Sequence, residues 1–468
     1  MRANTNRRTL LKWLGATTAI VALPGTGRAF SRRASAAKKP NIVFILVDDM
    51  GYADLSVTGS SHIKTPAIDS LACDGVRLTQ GYASTPICSP TRTALLTGCW
   101  AQRFPVGVEE PLGPNAPAHI GVPYDRPTIA SVMRDIGYHT KLIGKWHLGD
   151  PPEHGPLQHG YDEFFGIVEG AADYFRHHIV VHGKEVGMGL ARGNSPVEAG
   201  GYLTDLFGAE AVETIEKSGE KPFFLSLHFN APHWPWEGRE DAAAAKTIPD
   251  SFDYDGGSLK KYEEMMEAVD DNVAKILVAL EQTGKTQDTI VVFTSDNGGE
   301  RYSQTWPFVG HKGEVLEGGV RVPIIVRWPG HIAPGSVSDQ VMSSMDFLPT
   351  LLTMAGGNVA KAGTFDGADL AAQLTGKAAS IERTLFWRFN ANNQAAVRKG
   401  DWKYVRIGGK ERLFNLAEDE HERAERQGAE PQKFDELKRL WDDWNRQMVP
   451  YRVDGFSEDV TKTYIDRY

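Results

Sequence analysis

Four short apolar runs, each followed at once by polar side chains, constrain most strongly how this 468-residue chain can fold. The runs have the length and the β-branched or aromatic content of buried parallel strands, and they span residues 42–47, 140–143, 223–229 and 289–293. Apolar residues recur at helical spacing over 259–280, which predicts an amphipathic helix. The pattern therefore predicts an α/β fold with a large, mixed and mostly parallel sheet sandwiched by helices.

The residues that follow these runs carry carboxylate, amide, amine and imidazole groups. In chain order they are Asp48 and Asp49, then Lys145 and His147, then His233, and finally Asp296 and Asn297. Ligands of open α/β sheets bind beyond the carboxyl ends of the strands. We therefore expect two acidic sets and two basic sets to meet around one site.

The acidic sets offer oxygen ligands only. Asp48, Asp49, Asp296 and Asn297 have no histidine or cysteine beside them at metal-binding spacing. Such a donor set favours a hard cation, Ca²⁺ or alternatively Mg²⁺, over Zn²⁺. The alternative interpretation is that each pair is an ordinary turn after a strand.

Beyond about residue 377 the pattern changes to short alternating segments. They predict a small antiparallel sheet followed by an amphipathic helix, with strands over 384–389, 395–397, 402–407 and 412–416 and the helix over 432–448. We predict a catalytic α/β domain over 37–376 and a C-terminal α+β subdomain over 377–468.

The N-terminal segment has the features of a twin-arginine export signal. Arg7 and Arg8 precede an apolar run over 13–23, and small residues at 34–36 offer a cleavage site. The apolar run is shorter than the roughly 20 residues of a membrane-spanning helix, so we expect no stable membrane insertion. A signal peptide over 1–36 and a bacterial periplasmic or secreted location follow.

The net charge limits the kinds of molecule that the chain can bind, and the cysteine content limits the disulfides that it can form. Removing the seven basic residues of 1–36, which holds no acidic ones, would change the formal charge from −9 to −16. This balance argues against a nucleic-acid partner. Three cysteines cannot form a disulfide framework, and Cys73 with Cys99 could make one bridge at most.

The third cysteine, Cys88, lies in the sequence Cys88-Ser89-Pro90-Thr91-Arg92. Ser89 suits a helix N-cap and Pro90 a first helical position, so free backbone N–H groups should lie beside Cys88 and stabilise an oxyanion. The residue is a candidate nucleophile. The alternative is an ordinary buried thiol.

The pattern Cys-x-Pro-x-Arg-x-x-x-x-Thr-Gly over 88–98 resembles the signature of the type I sulfatases. Further segments similar to that family follow in its order, at 144–149, 231–233, 310–313 and 317–323. The resemblance covers nearly the whole mature chain. It implies an alkaline-phosphatase-like fold and hydrolysis of sulfate esters.

The resemblance also implies the nucleophile and the metal. Cys88 is expected to be oxidised to Cα-formylglycine and hydrated to a diol, which Arg92 holds. Asp48, Asp49, Asp296 and Asn297 match the metal ligands, and an oxygen of the formylglycine at Cys88 or of the substrate sulfate completes the shell. A maturation enzyme reads the local sequence, in which Thr91 stands where the family most often has serine.

The remaining roles concern proton transfer and the stabilisation of negative charge. The family implies that Asp296 takes a proton from the attacking hydroxyl and that Lys145 and Lys312 supply positive charge. His233 with Lys312 protonates or shields the departing alcohol. His147 then acts as base on the second hydroxyl, so that the sulfated diol collapses to the aldehyde and expels sulfate.

Substrate contacts are expected from Lys145, His233 and Lys312, with aromatic neighbours Trp234 and Trp236 and with His178 on the pocket wall. Aromatic faces stack on sugars, although core packing is an equally good account of both tryptophans. A sulfated saccharide is the expected substrate, with aryl sulfates as surrogates. The oligomeric state stays open.

Two other functions remain open at this stage. A phosphonate monoester or phosphodiester hydrolase could use the same fold, metal and nucleophile geometry. A non-catalytic sulfoglycan-binding protein would keep Cys88 as an unmodified thiol.

Overall fold

The computed structural model describes residues 38–113, 116–117, 119–251 and 256–452. The predicted signal peptide over 1–36 lies outside these residues. From Lys39 onward the described residues form one compact unit. The division into domains at residue 376 stays a prediction.

The strands, numbered in chain order over the described residues, are β1 Asn41–Val47, β2 Val76–Leu78, β3 Gly81–Tyr82, β4 His139–Gly144, β5 Glu163–Ile167, β6 Ile179–Val181, β7 Lys184–Val186, β8 Leu190–Arg192, β9 Ser195–Pro196, β10 Phe223–His228, β11 Thr289–Ser295, β12 Ile324–Arg327, β13 Ser336–Ser338, β14 Met342–Ser343, β15 Thr384–Phe389, β16 Gln394–Lys399, β17 Trp402–Ile407 and β18 Lys410–Asn415. The helices are α1 Pro66–Cys73, α2 Cys88–Thr97, α3 Ile129–Asp135, α4 Leu203–Lys217, α5 Ala242–Ala245, α6 Leu259–Gln282, α7 Glu317–Val320, α8 Phe347–Met354, α9 Val359–Ala362, α10 Ala371–Leu374 and α11 Pro431–Asn445.

The main sheet of the described chain has ten strands in the order β13-β2-β12-β11-β1-β10-β4-β5-β8-β9. Its centre, β11-β1-β10-β4-β5, is parallel throughout. Antiparallel pairs occur toward both edges. The predicted mixed, mostly parallel sheet is confirmed, and all four predicted runs are strands of its parallel centre.

Helices cover both faces of this sheet because the side chains of a strand alternate between faces. Ile42, Phe44 and Leu46 of β1 join a core with α2, α3 and α8. The alternate residues of β1 join a second core with α1, α4 and α6. None of the helices in the described part of the chain combines the length and apolar character that crossing a bilayer requires.

The C-terminal sheet, β15-β16-β17-β18, is antiparallel throughout. Its apolar face packs with α11 around Trp387, Leu437 and Trp441. The small antiparallel sheet and the final helix are confirmed, and β15 and β17 have the predicted bounds. Cys73 and Cys99 are both free thiols.

Candidate active site

The two acidic sets meet at the carboxyl ends of neighbouring strands. Val47 of β1 pairs with Ser295 of β11, so the residues that follow each strand lie side by side. The Asp49 N–H donates to Asp296 Oδ1 at 3.2 Å, and Asn297 Nδ2 donates to Asp49 Oδ1 at 2.8 Å. The structure therefore brings Asp48, Asp49, Asp296 and Asn297 together at one edge of the sheet.

Cys88 is the first residue of α2, and its N-cap is Ile87. The predicted N-cap at Ser89 is wrong, because the Thr91 N–H already donates to the Ile87 carbonyl at 3.2 Å. Proline is tolerated at Pro90 because N–H groups in the first helical turn need no intrahelical partner. The Ser89 hydroxyl instead accepts the Leu112 N–H at 2.8 Å.

The start of α2 carries the thiol to the acidic cluster. Cys88 Sγ lies 3.4 Å from Asp48 Oδ1 and 3.9 Å from Asp49 Oδ1. Burial, reinforced by the charge of Asp48, raises the pKa of the Cys88 thiol well above its ordinary value. The thiol is therefore protonated at neutral pH and is a poor nucleophile.

Three buried cations pair with the three carboxylates. Arg92 donates twice to Asp296 Oδ2, at 3.0 and 2.8 Å. Lys145 Nζ donates to Asp48, and Lys312 Nζ donates to Asp49 Oδ2 at 2.6 Å. Charges removed from water in this way are stabilised only when they are paired.

The same pairing sets the ionisation of the carboxylates. Although burial alone would raise it, the charge of Lys312 holds the pKa of Asp49 below its ordinary value. Burial and the charge of Asp48 raise the pKa of Asp296 to about 6. Asp49 and Asp296 therefore differ in how strongly their surroundings favour the charged carboxylate.

The cluster fits a divalent cation. Asn297 Oδ1 is buried without a hydrogen-bond partner among the described residues. One ligand atom from each of Asp48, Asp49, Cys88 and His233 lies within 4.8 Å of the others. A bare carbonyl oxygen beside clustered carboxylates is the donor chemistry of a hard cation.

Both candidate histidines face a cavity of about 490 Å³ whose lining includes Cys88. His147 Nε2 lies 2.9 Å from the Leu112 carbonyl, and its buried Nδ1 has no partner in the described chain. His233 Nε2 lies 3.6 Å from Asp49 Oδ2. Burial, with the charge of Lys145 for His147 and of Lys312 for His233, lowers the pKa of both imidazoles well below the ordinary value.

The ring side chains predicted to contact the substrate differ in whether they line this cavity. Trp234 lines the cavity, whereas Trp236 is not among the lining residues and is only 4% exposed. Its ring packs edge-on against Tyr302 at 5.0 Å, as the core-packing interpretation expects, and the substrate contact of Trp236 stays a prediction. His178 also falls outside the lining and lies behind it, against Gly189, whose lack of a side chain makes room for the imidazole.

Sequence reasoning missed two residues near the cations. Glu300 Oε2 lies 3.6 Å from Lys312 Nζ, and burial raises the pKa of Glu300 to about 7. His228 Nδ1 lies 3.3 Å from the Lys145 carbonyl, to which Arg92 Nη1 donates at 3.1 Å. Glu300 follows Asn297 by three residues, and His228 is the last residue of β10 and the penultimate residue of the predicted run 223–229, so their positions near strand ends were the available signal.

Comparison with known proteins agrees with this geometry. A family model described as Sulfatase matches residues 40–357. A second, described as N-sulphoglucosamine sulphohydrolase, C-terminal, matches residues 311–443. Because the first covers more than half of the chain, it identifies the family.

Curated relatives and solved structures extend the match. The chain is 35% identical over 390 residues to N-acetylgalactosamine-6-sulfatase of Mus musculus, covering 79% of this chain and 72% of the relative. It is 33% identical over 417 residues to arylsulfatase A of Bos taurus, covering 79% and 75%. The crystal structure of Ps i-CgsB in complex with k-i-k-neocarrahexaose superposes with a TM-score of 0.79 at 29% identity, covering 91% of this chain and 96% of that one.

A phosphonate monoester hydrolase of Agrobacterium radiobacter shares the fold. Its crystal structure gives a TM-score of 0.65 at 23% identity and covers 88% of this chain and 96% of that one. At this identity the likeness concerns architecture alone.

Proposed function

The chain belongs to the sulfatase family and is a sulfuric ester hydrolase, and from that premise we propose that it desulfates carbohydrates with a formylglycine derived from Cys88. The observation that carries the proposal is the position of Cys88. It stands at the first residue of α2, beside Asp48 and Asp49, with the cations that pair with these carboxylates close by.

The protonated state of the Cys88 thiol supports the proposal that Cys88 is converted to formylglycine. Burial keeps the Cys88 thiol protonated, so an unmodified Cys88 would attack a sulfate ester poorly. The hydrated aldehyde supplies one hydroxyl that attacks sulfur and a second that lets sulfate leave by C–O cleavage. The maturation enzyme that forms the aldehyde would read Cys88 and Pro90 in the unfolded chain.

We assign Ca²⁺, with Mg²⁺ as the alternative, to Asp48, Asp49, Asp296 and Asn297. The unpartnered Asn297 Oδ1 and the clustering of Asp48 with Asp49 support this set, and Asp296 is included because its Oδ1 lies 3.2 Å from the Asp49 N. When bound, the cation would supply positive charge against the sulfate oxygens and the oxygen at position 88.

Arg92 and Asp296 act on the nucleophile in this proposal. The two hydrogen bonds from Arg92 fix the Asp296 carboxylate, which would receive the proton of the attacking hydroxyl. Lys145 stabilises the negative charge of the transferred group because it is held at the same edge of the sheet.

His233, Lys312 and His147 handle the leaving group and the return of the nucleophile. His233 and Lys312 flank Asp49, where they can protonate the departing alcohol. An anionic sulfate ester nearby favours the protonated imidazole and opposes the effect of burial on His233. The unpartnered Nδ1 of His147 is available to take a proton from the remaining hydroxyl.

The carbohydrate assignment rests on the relatives and on the cavity. N-acetylgalactosamine-6-sulfatase and a complex with k-i-k-neocarrahexaose are among the similar proteins. Trp234 offers an aromatic surface on the wall of the cavity, as sugar sites often do. The N-terminal segment supports export to the periplasm or beyond by the twin-arginine route.

The reaction class is tested with two aryl esters. Protein expressed with a formylglycine-generating enzyme should hydrolyse 4-nitrophenyl sulfate with a kcat/KM at least about tenfold above that for an aryl phosphodiester. Faster diester cleavage would assign the protein to phosphodiester hydrolysis. An unmodified Cys88 in the intact mass, with neither ester cleaved, would favour a sulfoglycan-binding protein.

Substitution of His233 tests the protonation step. His233→Ala should lower kcat/KM for alkyl sulfates by about 10²–10⁴-fold, because an alkoxide needs a proton in order to leave. The loss for 4-nitrophenyl sulfate should be about tenfold or less, since the nitrophenolate leaves unprotonated. Exposed His62→Ala is the matched control and should change neither rate. Equal losses for both esters would remove His233 from this role.

A further inference from the structure

Charge is distributed unevenly between the floor and the walls of the active-site cavity. Cys88 lies at the floor, and beyond it, outside the lining, Lys145 and Lys312 pair with Asp48 and Asp49. No lysine or arginine is among the described residues that line the cavity. The lysines that could attract an anionic group therefore lie only next to Cys88, where the scissile sulfate would bind.

The walls carry two carboxylates instead. Asp150 follows the segment that holds Lys145 and His147, and Glu169 follows β5, so the two reach the lining from neighbouring strands. They are close enough that the charge of Asp150 acts on Glu169. Neither forms an ion pair within the part of the chain that the structure describes; burial raises the pKa of both groups, and His154 partly opposes this at Asp150.

The main chain of residues 187–189 holds the Glu169 side chain in place. The Glu169 carboxylate accepts the main-chain N–H of Met188; burial raises the pKa of Glu169, and the main-chain N–H groups of Met188 and Gly189 partly oppose that shift. Gly187 lies against the same carboxylate, where a Cβ would approach Glu169 Oε1 to 2.2 Å. The carboxylate is thus built into the wall and keeps acceptor capacity toward the cavity.

The rest of the wall is apolar. Leu112, Ile120, Val168, Ile179 and Met188 line the cavity above the floor. Such a surface suits the C–H face of a sugar ring or an acetyl methyl group, and it leaves a buried anion without a partner.

We propose that the cavity selects sugars whose only negative charge is the scissile sulfate, and that Asp150 and Glu169 are its specificity-determining residues. Their carboxylates accept hydrogen bonds from the hydroxyls of a neutral hexose or N-acetylhexosamine. The same carboxylates repel a second sulfate or a uronate on that sugar, which is a repulsive element of specificity. This inference rests on the proposed carbohydrate sulfatase function.

The test compares matched esters on one enzyme. For galactose and N-acetylgalactosamine, kcat/KM is measured for each monosulfate and for the disulfate that contains the same ester. With the wild-type protein, the best monosulfate should exceed its disulfate by at least about tenfold, and a smaller ratio would overturn the proposal. Hydrolysis of 4-nitrophenyl sulfate in the same samples separates this failure from failure of the sulfatase assignment.

Two variants identify the residues responsible. The double variant Asp150→Asn with Glu169→Gln keeps the size and hydrogen-bonding atoms of both side chains, and it should lower the monosulfate-to-disulfate ratio by at least about fivefold. Glu153→Gln is the matched control, because Glu153 is exposed on the same segment and does not line the cavity. The control should retain the wild-type ratio. An unchanged ratio in the double variant, or an equal fall in the control, would refute the assignment.

Discussion

Cys88→Ala is expected to lower the hydrolysis of 4-nitrophenyl sulfate by at least about 10⁴-fold. The reason is that the substitution removes the atom from which the proposed aldehyde is made. Lys145 and Lys312 would still offer positive charge to the ester, but no hydroxyl would stand in line with sulfur. Initial rates measured on the purified variant check this expectation.

The fold should tolerate this change. Alanine fits the position of the buried Cys88 at the start of α2 and favours helix. The exposed thiol at Cys73 provides the matched control, so Cys73→Ala should keep wild-type activity. Near-UV circular dichroism of Cys88→Ala should match the wild type. Retained turnover by Cys88→Ala would refute the nucleophile.

Lys403→Met is expected to lower the free energy of unfolding by about 3 kcal/mol, the largest stability effect that we expect from removing one charged side chain. Lys403 Nζ lies between two buried carboxylates, 2.8 Å from Glu317 Oε1 and 3.0 Å from Glu422 Oε1. The ammonium joins strand β17 of the C-terminal sheet to helix α7 of the main fold. Methionine keeps the volume but leaves Glu422 without a cation.

Equilibrium denaturation in urea measures this loss. Lys399→Met is the matched control on the adjacent strand, because Lys399 pairs with Glu436 at the surface and should contribute about 1 kcal/mol or less. Adding Glu422→Gln to Lys403→Met should restore part of the stability, because the buried charge is then removed as well. Equal midpoints for Lys403→Met and Lys399→Met would show that the buried pair adds nothing.

The acidic site illustrates what local sequence patterns can predict. Asp48 and Asp296 are 248 residues apart in number, yet each follows a run that could only be a buried parallel strand. Parallel strands end at a common edge, so the pattern alone indicated that these residues would meet. The C-terminal strands were predictable for a similar reason, because alternation with a period of two defines the two faces of an antiparallel sheet.

The start of α2 shows where local rules fail. The sequence Ser89-Pro90 permits several helix starts, because serine caps helices and proline suits more than one position in the first turn. Tertiary packing makes Ile87 the N-cap, because the Ser89 hydroxyl accepts a hydrogen bond from the Leu112 N–H of another segment. A contact between distant segments thus fixed the first helical residue.

The sequence by itself determined the class of fold and the strands whose ends form the candidate site, because strand periodicity is a local property. Only the tertiary structure decided which neighbours face the substrate. Trp234 reaches the cavity while Trp236 enters the core, and Asp150 and Glu169 come together from separate strands. The walls of a pocket are set by side-chain direction and by packing between distant segments, which no local pattern encodes.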